Sequence, residues 1–259
     1  MFFLKFIMSS EYQTSHYSQK SVLYMKGIQK SYGDRLIIKN VDLSFKTGEI
    51  SAIMGPNGAG KTTSFYMITG IVKPNKGCIY LNNINITDLP IYIRARLGIG
   101  YLPQESSLFK TLTTEENILA ALECVEKDKA VQKRRVEELI EMFNLSKVTK
   151  SLGGVLSGGE RRRVEVARCL ATNPKFILLD EPFAGVDPVS VEDIEHVIKN
   201  LTKQNIGIVM TDHNVRETLK IADRNYIFYD GQVICKGDAQ TVLSNSIVRE
   251  KYLGDGFNK

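Results

Sequence analysis

At 259 residues the chain is long enough for one large domain or two small ones with a substantial buried core. Apolar residues make up 43% and charged residues 24%, as in ordinary globular proteins, and the +5 net charge is spread along the chain rather than blocked. So small and dispersed an excess makes no case for nucleic acid; it is compatible with an anionic membrane surface nearby without requiring one. Cys78, Cys124, Cys169 and Cys235 form no C-x-x-C and no Cys/His cluster, so they read as reduced, mostly buried thiols. The chain begins Met1-Phe2-Phe3-Leu4-Lys5-Phe6-Ile7-Met8, about the length of a weak signal-peptide core but without a small-residue cleavage site after it. Residues 1–20 read as a flexible tail, with Met8 as an alternative start, and residues 21–259 as the folded domain.

In chain order, Leu23–Ile28 and Ile37–Phe45 are predicted strands around a turn at Tyr32-Gly33-Asp34. Ile50–Met54 is a short apolar strand, followed by a Gly-rich loop and a helix from Lys61 towards Gly70. Cys78–Leu81 and Ile99–Leu102 are further strands. Leu112–Glu123 reads as helical, and Val136, Leu139, Ile140 and Phe143 fall at i, i+3, i+4, i+7 of an amphipathic helix. A helical subdomain is therefore expected at about 105–171, inserted into an α/β core. Phe176–Leu179 and Ile206–Met210 are the apolar runs of parallel strands buried on both faces. Between them Val191, Ile194, Val197, Ile198 and Leu201 make a helical stripe, with Ser190 as its expected N-cap and Asp193 three residues on. Tyr226–Tyr229 and Gln232–Lys236 flank Asp230-Gly231, a hairpin signal.

The chemistry gathers in two places. Gly55-Pro56-Asn57-Gly58-Ala59-Gly60-Lys61-Thr62 matches G-x-x-x-x-G-K-[ST] between a strand and a helix, where the motif belongs. Glycines let the loop turn its N–H groups inward onto phosphate oxygens, and the helix N-terminus adds a positive dipole. Lys61 is the candidate for the β- and γ-phosphates, Thr62 for a Mg²⁺ ligand, and Thr63 is grouped with the nucleotide-binding loop. The second place is Phe176-Ile177-Leu178-Leu179-Asp180-Glu181, an apolar strand ending in two acids at the sheet edge where α/β folds bind ligands. Asp180 would hold Mg²⁺, and Glu181 would activate the attacking water. Two acids that merely cap the turn before Pro182 are the plainer alternative.

Leu156-Ser157-Gly158-Gly159-Glu160 resembles the signature of the ABC (ATP-binding-cassette) ATPases. A serine and two glycines at a helix start make another anion-ready end, so the chain carries two. The resemblance implies a P-loop ABC ATPase fold: a mostly parallel α/β sheet, an antiparallel β subdomain and an inserted α-helical subdomain. It also implies a head-to-tail homodimer in which Ser157, Gly158 and Gly159 close on the ATP held by the other copy. Tyr32 matches the family's adenine-stacking aromatic, with a structural tyrosine as the alternative. Gln104 matches the glutamine that contacts Mg²⁺ and water, Asp187 lies in the loop that crosses between protomers, and His213 matches the histidine that contacts the γ-phosphate. Among these, Glu181, His213, Gln104 and Lys61 are the expected catalytic residues.

Further stretches, among them Gly98-Ile99-Gly100-Tyr101-Leu102-Pro103-Gln104-Glu105, Phe183-Ala184-Gly185-Val186-Asp187-Pro188 and Thr211-Asp212-His213-Asn214-Val215-Arg216, resemble the ATPases of lipopolysaccharide-export transporters. This implies a pair of integral membrane subunits as partners, a peripheral place on the cytoplasmic side of the bacterial inner membrane, and no nucleic acid. No stretch approaches the roughly 18 uninterrupted apolar residues of a membrane span, so other chains would supply the pore. An ATPase of a branched-chain amino-acid importer is the nearest alternative, and a soluble ABC-type switch on ribosome or DNA a more distant one. Arg161–Arg163 reads mainly as a solvated, ion-paired face. Phe109 falls where the family docks its membrane subunit, and both an exposed anchor and a core phenylalanine remain open there.

Overall fold

The computed structural model describes residues 20–184 and 188–254, the side chains of residues 188–190 and 193 excepted. The expected tail thus lies outside the described residues up to position 19. Ten strands are present among the described residues: β1 (Val22–Tyr32), β2 (Arg35–Lys46), β3 (Ile50–Met54), β4 (Lys76–Leu81), β5 (Ile84–Asn85), β6 (Ile99–Leu102), β7 (Phe176–Asp180), β8 (Gly207–Thr211), β9 (Arg224–Tyr229) and β10 (Gln232–Gly237). They form an antiparallel sheet of order β2-β1-β4-β5 and a six-stranded sheet of order β10-β9-β3-β8-β7-β6. In the second sheet every pairing is parallel except β9 with β10. All residues of β3, β7 and β8 are buried, which is why they appear in the sequence as unbroken apolar runs. Asp230 and Gly231, at φ 47 and 74, make the tight turn between β9 and β10.

The longer helices among the described residues are α1 (Lys61–Thr69), α2 (Ile91–Arg96), α3 (Thr114–Leu122), α4 (Lys129–Met142), α5 (Gly158–Ala171), α6 (Pro188–Lys203), α7 (Val215–Ile221) and α8 (Ala239–Ser244), with a short helix at Ser246–Val248 and a π-helical turn at Arg249–Leu253 after them. Between β6 and β7 every named element is helical. Thr113 opens α3 with a capping box: its hydroxyl accepts from the Glu116 N–H, while the Glu116 carboxylate accepts from the Thr113 N–H. Several boundaries differ from expectation: β1 and β2 run longer than Leu23–Ile28 and Ile37–Phe45, and β4 and β9 each start two residues earlier. Helix α6 begins at Pro188, so Ser190 lies in its first turn rather than at its cap. Proline suits the first helical position because the N–H it lacks would have no partner there.

Two apolar cores result. In one, Leu102, Ile118, Leu122, Leu139, Val164 and Leu170 join Ile177, Ile208 and Met210 of the parallel sheet. In the other, α1 is enclosed between the sheets, with Phe65, Met67 and Ile68 packed among Leu23, Ile28 and Phe45 on one side and Phe176, Leu178 and Val209 on the other. Burying a side chain such as Phe65 contributes on the order of 2–3 kcal/mol. From Ser64 to Thr69 every residue of α1 but half-buried Tyr66 is buried, whereas Thr62 at its start stays exposed. The phosphate-loop helix is therefore set rigidly in the domain.

Beneath its C-terminal end sits Arg94, 1% exposed. Its guanidinium donates to four carbonyl oxygens: Met67 at 2.6 Å, Ile68 at 2.7 Å, Leu89 at 2.8 Å and Thr87 at 2.9 Å. Burial lowers its pKa to about 10. The cysteines depart from expectation: Cys235 is buried, Cys78 and Cys169 are half-buried, and Cys124 is exposed just past the end of α3. Among the described residues, no helix is long and apolar enough to cross a membrane.

Candidate nucleotide site

The loop from β3 to α1 is shaped by three glycines that the backbone requires. Gly55 has φ 144, and a Cβ there would lie 2.1 Å from the Phe228 carbonyl oxygen. Gly58 has φ 77. Gly60, at φ 104, caps α1, and a Cβ would meet Ile38 Cδ1 at 2.3 Å. As Gly60 offers no side-chain cap, the first-turn N–H groups of α1 have no intrahelical or capping acceptor. A phosphate is the ligand such a cradle suits. Lys61 Nζ donates to the carbonyls of Gly55 at 2.7 Å and Pro56 at 2.9 Å. Its partial burial pushes the pKa down, against the opposing pull of the Glu181 carboxylate. Asn57 and Thr62 are exposed, Pro56 and Thr63 half-buried, and Ala59 buried.

The strand register assembles the acidic side. Leu102 is level with Leu179 and Asp180 with Thr211, so the C-terminal ends of β6, β7 and β8 lie side by side. Gln104, Glu181 and His213 each follow one of those ends. Gln104 Nε2 donates to Glu181 Oε2 at 3.0 Å, and His213 Nδ1 stands 3.5 Å from the same oxygen. Asp180, buried, accepts from the Thr211 hydroxyl at 2.6 Å. The Tyr101 hydroxyl lies 3.5 Å from its other oxygen, and burial, followed by the Asp180 charge, raises the Tyr101 pKa above the ordinary phenol range. Glu181 has φ 47, in the left-handed region disfavoured for a residue with a Cβ. Its N–H donates to Thr211 O at 2.9 Å.

Ser157 caps α5, and its hydrogen bonds stay within that helix. Its hydroxyl donates to Glu160 Oε2 at 2.7 Å, its N–H donates to the same oxygen at 2.9 Å, and its carbonyl accepts from Arg161 N–H. These bonds hold the Glu160 carboxyl below its usual pKa. Gly158 does not have a positive φ, and a Cβ on it would meet nothing within 4 Å. Nothing in this chain requires a glycine there.

The ABC transporter family pattern matches residues 38–184. The chain belongs to the ABC transporter family. It is 51% identical over 231 residues to a probable ABC transporter ATP-binding protein of Azorhizobium caulinodans, covering 89% of this chain and 82% of the relative. It is 50% identical over 239 residues to the lipopolysaccharide export system ATP-binding protein LptB of Haemophilus influenzae, covering 92% and 99%. Among solved structures, the ADP conformation of MJ1267, an ATP-binding cassette of an ABC transporter, superposes with a TM-score of 0.81 at 31% identity, covering 91% of this chain and 99% of that one. The ABC domain binds nucleotide and couples ATP hydrolysis to transport.

Several residues of this ABC domain lie apart from the cluster or were not foreseen. Tyr32 ends β1 at 51% exposure, with Lys30 Nζ 5.1 Å from its ring centre. Asp187, with Gly185 and Val186, lies outside the described residues. Arg161–Arg163 are not a solvated face: all three are half-buried. Arg161 donates to Leu156 O, Arg162 donates to Pro103 O and pairs with buried Glu165 at 3.2 Å, and the Arg163 Nε is buried. The run is drawn inward because α5 packs beside the loop after β6. Phe109 is exposed, at 55%, with the Arg168 guanidinium 5.5 Å from its ring centre. Asp212 and Tyr252 were missed. Tyr252, far along the chain, brings its phenol beside the backbone of Gly55, and burial raises its pKa. Such a long-range contact leaves no local sequence signal.

Proposed function

We propose that two copies of this chain pair head to tail and hydrolyse ATP at their interface to drive lipopolysaccharide export. The observation that carries the reading is the convergence of Gln104 and His213 on one carboxylate oxygen of Glu181, in a site whose field also reaches Lys61. In that geometry Glu181 accepts the proton of the attacking water, with Gln104 orienting it. Lys61, His213 and the partner's copy of Ser157 offset the charge that develops on the transferred phosphoryl group. The hard oxygen donors Thr62 and Asp180, with Gln104, would hold Mg²⁺, which would supply positive charge to offset that of the phosphates. Gly55 to Thr63 cradle the phosphates and Tyr32 stacks on adenine, and the family resemblance assigns Asp187 to the contact with the second protomer.

The open face at Gly158 supports the pairing, because a glycine with free space beside it is what the close approach of another molecule asks for. The dimeric structure of MJ0796, a bacterial ABC transporter cassette, gives a precedent at TM-score 0.73 and 30% identity, over 84% of this chain and 98% of that one. The cargo follows from the likeness to the Haemophilus protein named for lipopolysaccharide export. The chain would then sit peripherally on the cytoplasmic side of the inner membrane, bound to a pair of integral membrane subunits through the surface around Phe109, with no nucleic acid involved.

Glu181→Gln tests the mechanism. ATP binding persists and a closed dimer accumulates in size-exclusion chromatography, while hydrolysis falls by a factor of roughly 100 or more. Hydrolysis near the parent rate removes the base assignment. Purification in mild detergent tests the cargo: lipopolysaccharide-transport subunits should accompany the chain, and importer permeases would replace that reading.

A further inference from the structure

Asp212 takes no part in the chemistry proposed above, yet it is 0% exposed beside the site. A carboxylate so far from water needs hydrogen-bond donors. It accepts from two backbone N–H groups on different turns: Phe183 N–H at 3.0 Å on Oδ2, and Asn214 N–H at 2.7 Å on Oδ1. Phe183 lies two residues past Glu181, and Asn214 directly follows His213. One side chain therefore ties the turn carrying Glu181 to the turn carrying His213.

The tie also bears on the unusual backbone of Glu181. A left-handed residue with a Cβ persists only where its surroundings impose it. Here Thr211 O holds the Glu181 N–H at 2.9 Å, Ala184 N–H closes the turn onto Glu181 O at 3.2 Å, and Asp212 holds the Phe183 N–H between them. Opposite, Val215 N–H donates to His213 O at 3.1 Å, so the histidine's turn is fixed from both ends. The imidazole Nδ1 lies 3.8 Å from Asp212 Oδ1, too long for a hydrogen bond, so Asp212 reaches the chemistry through the backbone rather than by contact with it.

We propose that Asp212 is a positioning residue for hydrolysis: by gripping Phe183 and Asn214 it keeps the Glu181 carboxylate and the His213 imidazole in mutual register. The inference rests on Glu181 being the base. Single-turnover and steady-state ATP hydrolysis by the full-length chain test it, with Asp212→Asn alone and combined with His213→Ala. Asparagine keeps the size but turns one acceptor into a donor that faces a backbone N–H. The expected result is a kcat loss on the order of 100-fold, the scale of a roughly 1 Å misplacement, with the KM for ATP nearly unchanged. In the His213→Ala background the same substitution should cost less than about tenfold, because groups that act as a unit are not additive. A kcat within about twofold of the parent, a KM that rises while kcat holds, or losses that multiply in the double variant would each overturn the proposal. If Asp212→Asn does not fold by circular dichroism, Asp212→Glu keeps the charge but moves the grip by one methylene. The same kcat-selective loss is expected from it, and full activity overturns the proposal. An inactive parent chain would instead sink the ATPase reading itself.

Discussion

The helix that starts at Lys61 and the helix that starts after Ser157 both offer an N-terminus to an anion, but their surroundings differ. The first is walled in. Gly60 cannot carry a Cβ without striking Ile38, Phe65, Met67 and Ile68 of the helix are buried in the core, and Lys61 is held against the loop's own carbonyls. The second is self-satisfied and open. Ser157 spends its hydrogen bonds on Glu160 of its own helix, and Gly158 faces free space. One end is finished by the fold of a single chain; the other has steric room for which that fold has no use.

The most severe test of this contrast removes the charge from the walled end. Lys61→Met should cut phosphate release by about 100- to 1000-fold. The same change should raise the melting temperature of the nucleotide-free chain at pH 7. The sign follows from the lowered pKa of Lys61. Between its folded value and the ordinary 10.5 the unfolded chain binds more protons, so stability rises with pH there, and below that window the buried charge weighs on the fold. The gain from Met should therefore shrink as pH approaches 10.5.

Gly60→Ala comes next. A left-handed φ and the Ile38 contact should cost about 1–3 kcal/mol in chemical denaturation and weaken nucleotide binding. Ser157→Ala should cost about 1 kcal/mol through the lost cap. Because Glu160 is held below 4.5, its share of that cap is present above 4.5 and lost as pH falls through the folded value, so the difference between parent and variant should narrow in acid. The smallest effect on stability is the most telling. Gly158→Ala should be neutral or gain up to about 1 kcal/mol, as alanine does over glycine in a helix, while lowering hydrolysis. Unchanged hydrolysis would mean that the open face receives nothing.

Much of the framework was legible because its signals are local. Ile50–Met54 and Ile99–Leu102 emerge with the predicted bounds, since a strand buried on both faces must be apolar throughout. The phosphate loop declares itself through glycines whose φ values no other residue would readily take. Helix α6 started three residues early because Pro188 reads in sequence as a breaker as readily as a first helical residue. The arginine run was misjudged because charge pattern alone does not show that Pro103 and Leu156 supply carbonyls to it. Asp212 and Tyr252 stayed hidden for the same reason: their partners, Phe183 and Gly55, are distant in sequence and meet them through backbone groups that every residue has.

The buried guanidinium of Arg94 has a mechanical consequence. It fastens the last carbonyls of α1 to those of Thr87 and Leu89, and Thr87 is itself stitched to β4 by the Ile79 N–H at 2.8 Å. The antiparallel sheet and the helix beneath the phosphate loop are thereby riveted into one lever. A displacement of either has a direct hydrogen-bonded route to the other through this joint. No other side chain supplies five donors in a planar fan, so a lysine at this position would leave carbonyls unserved and the joint loose.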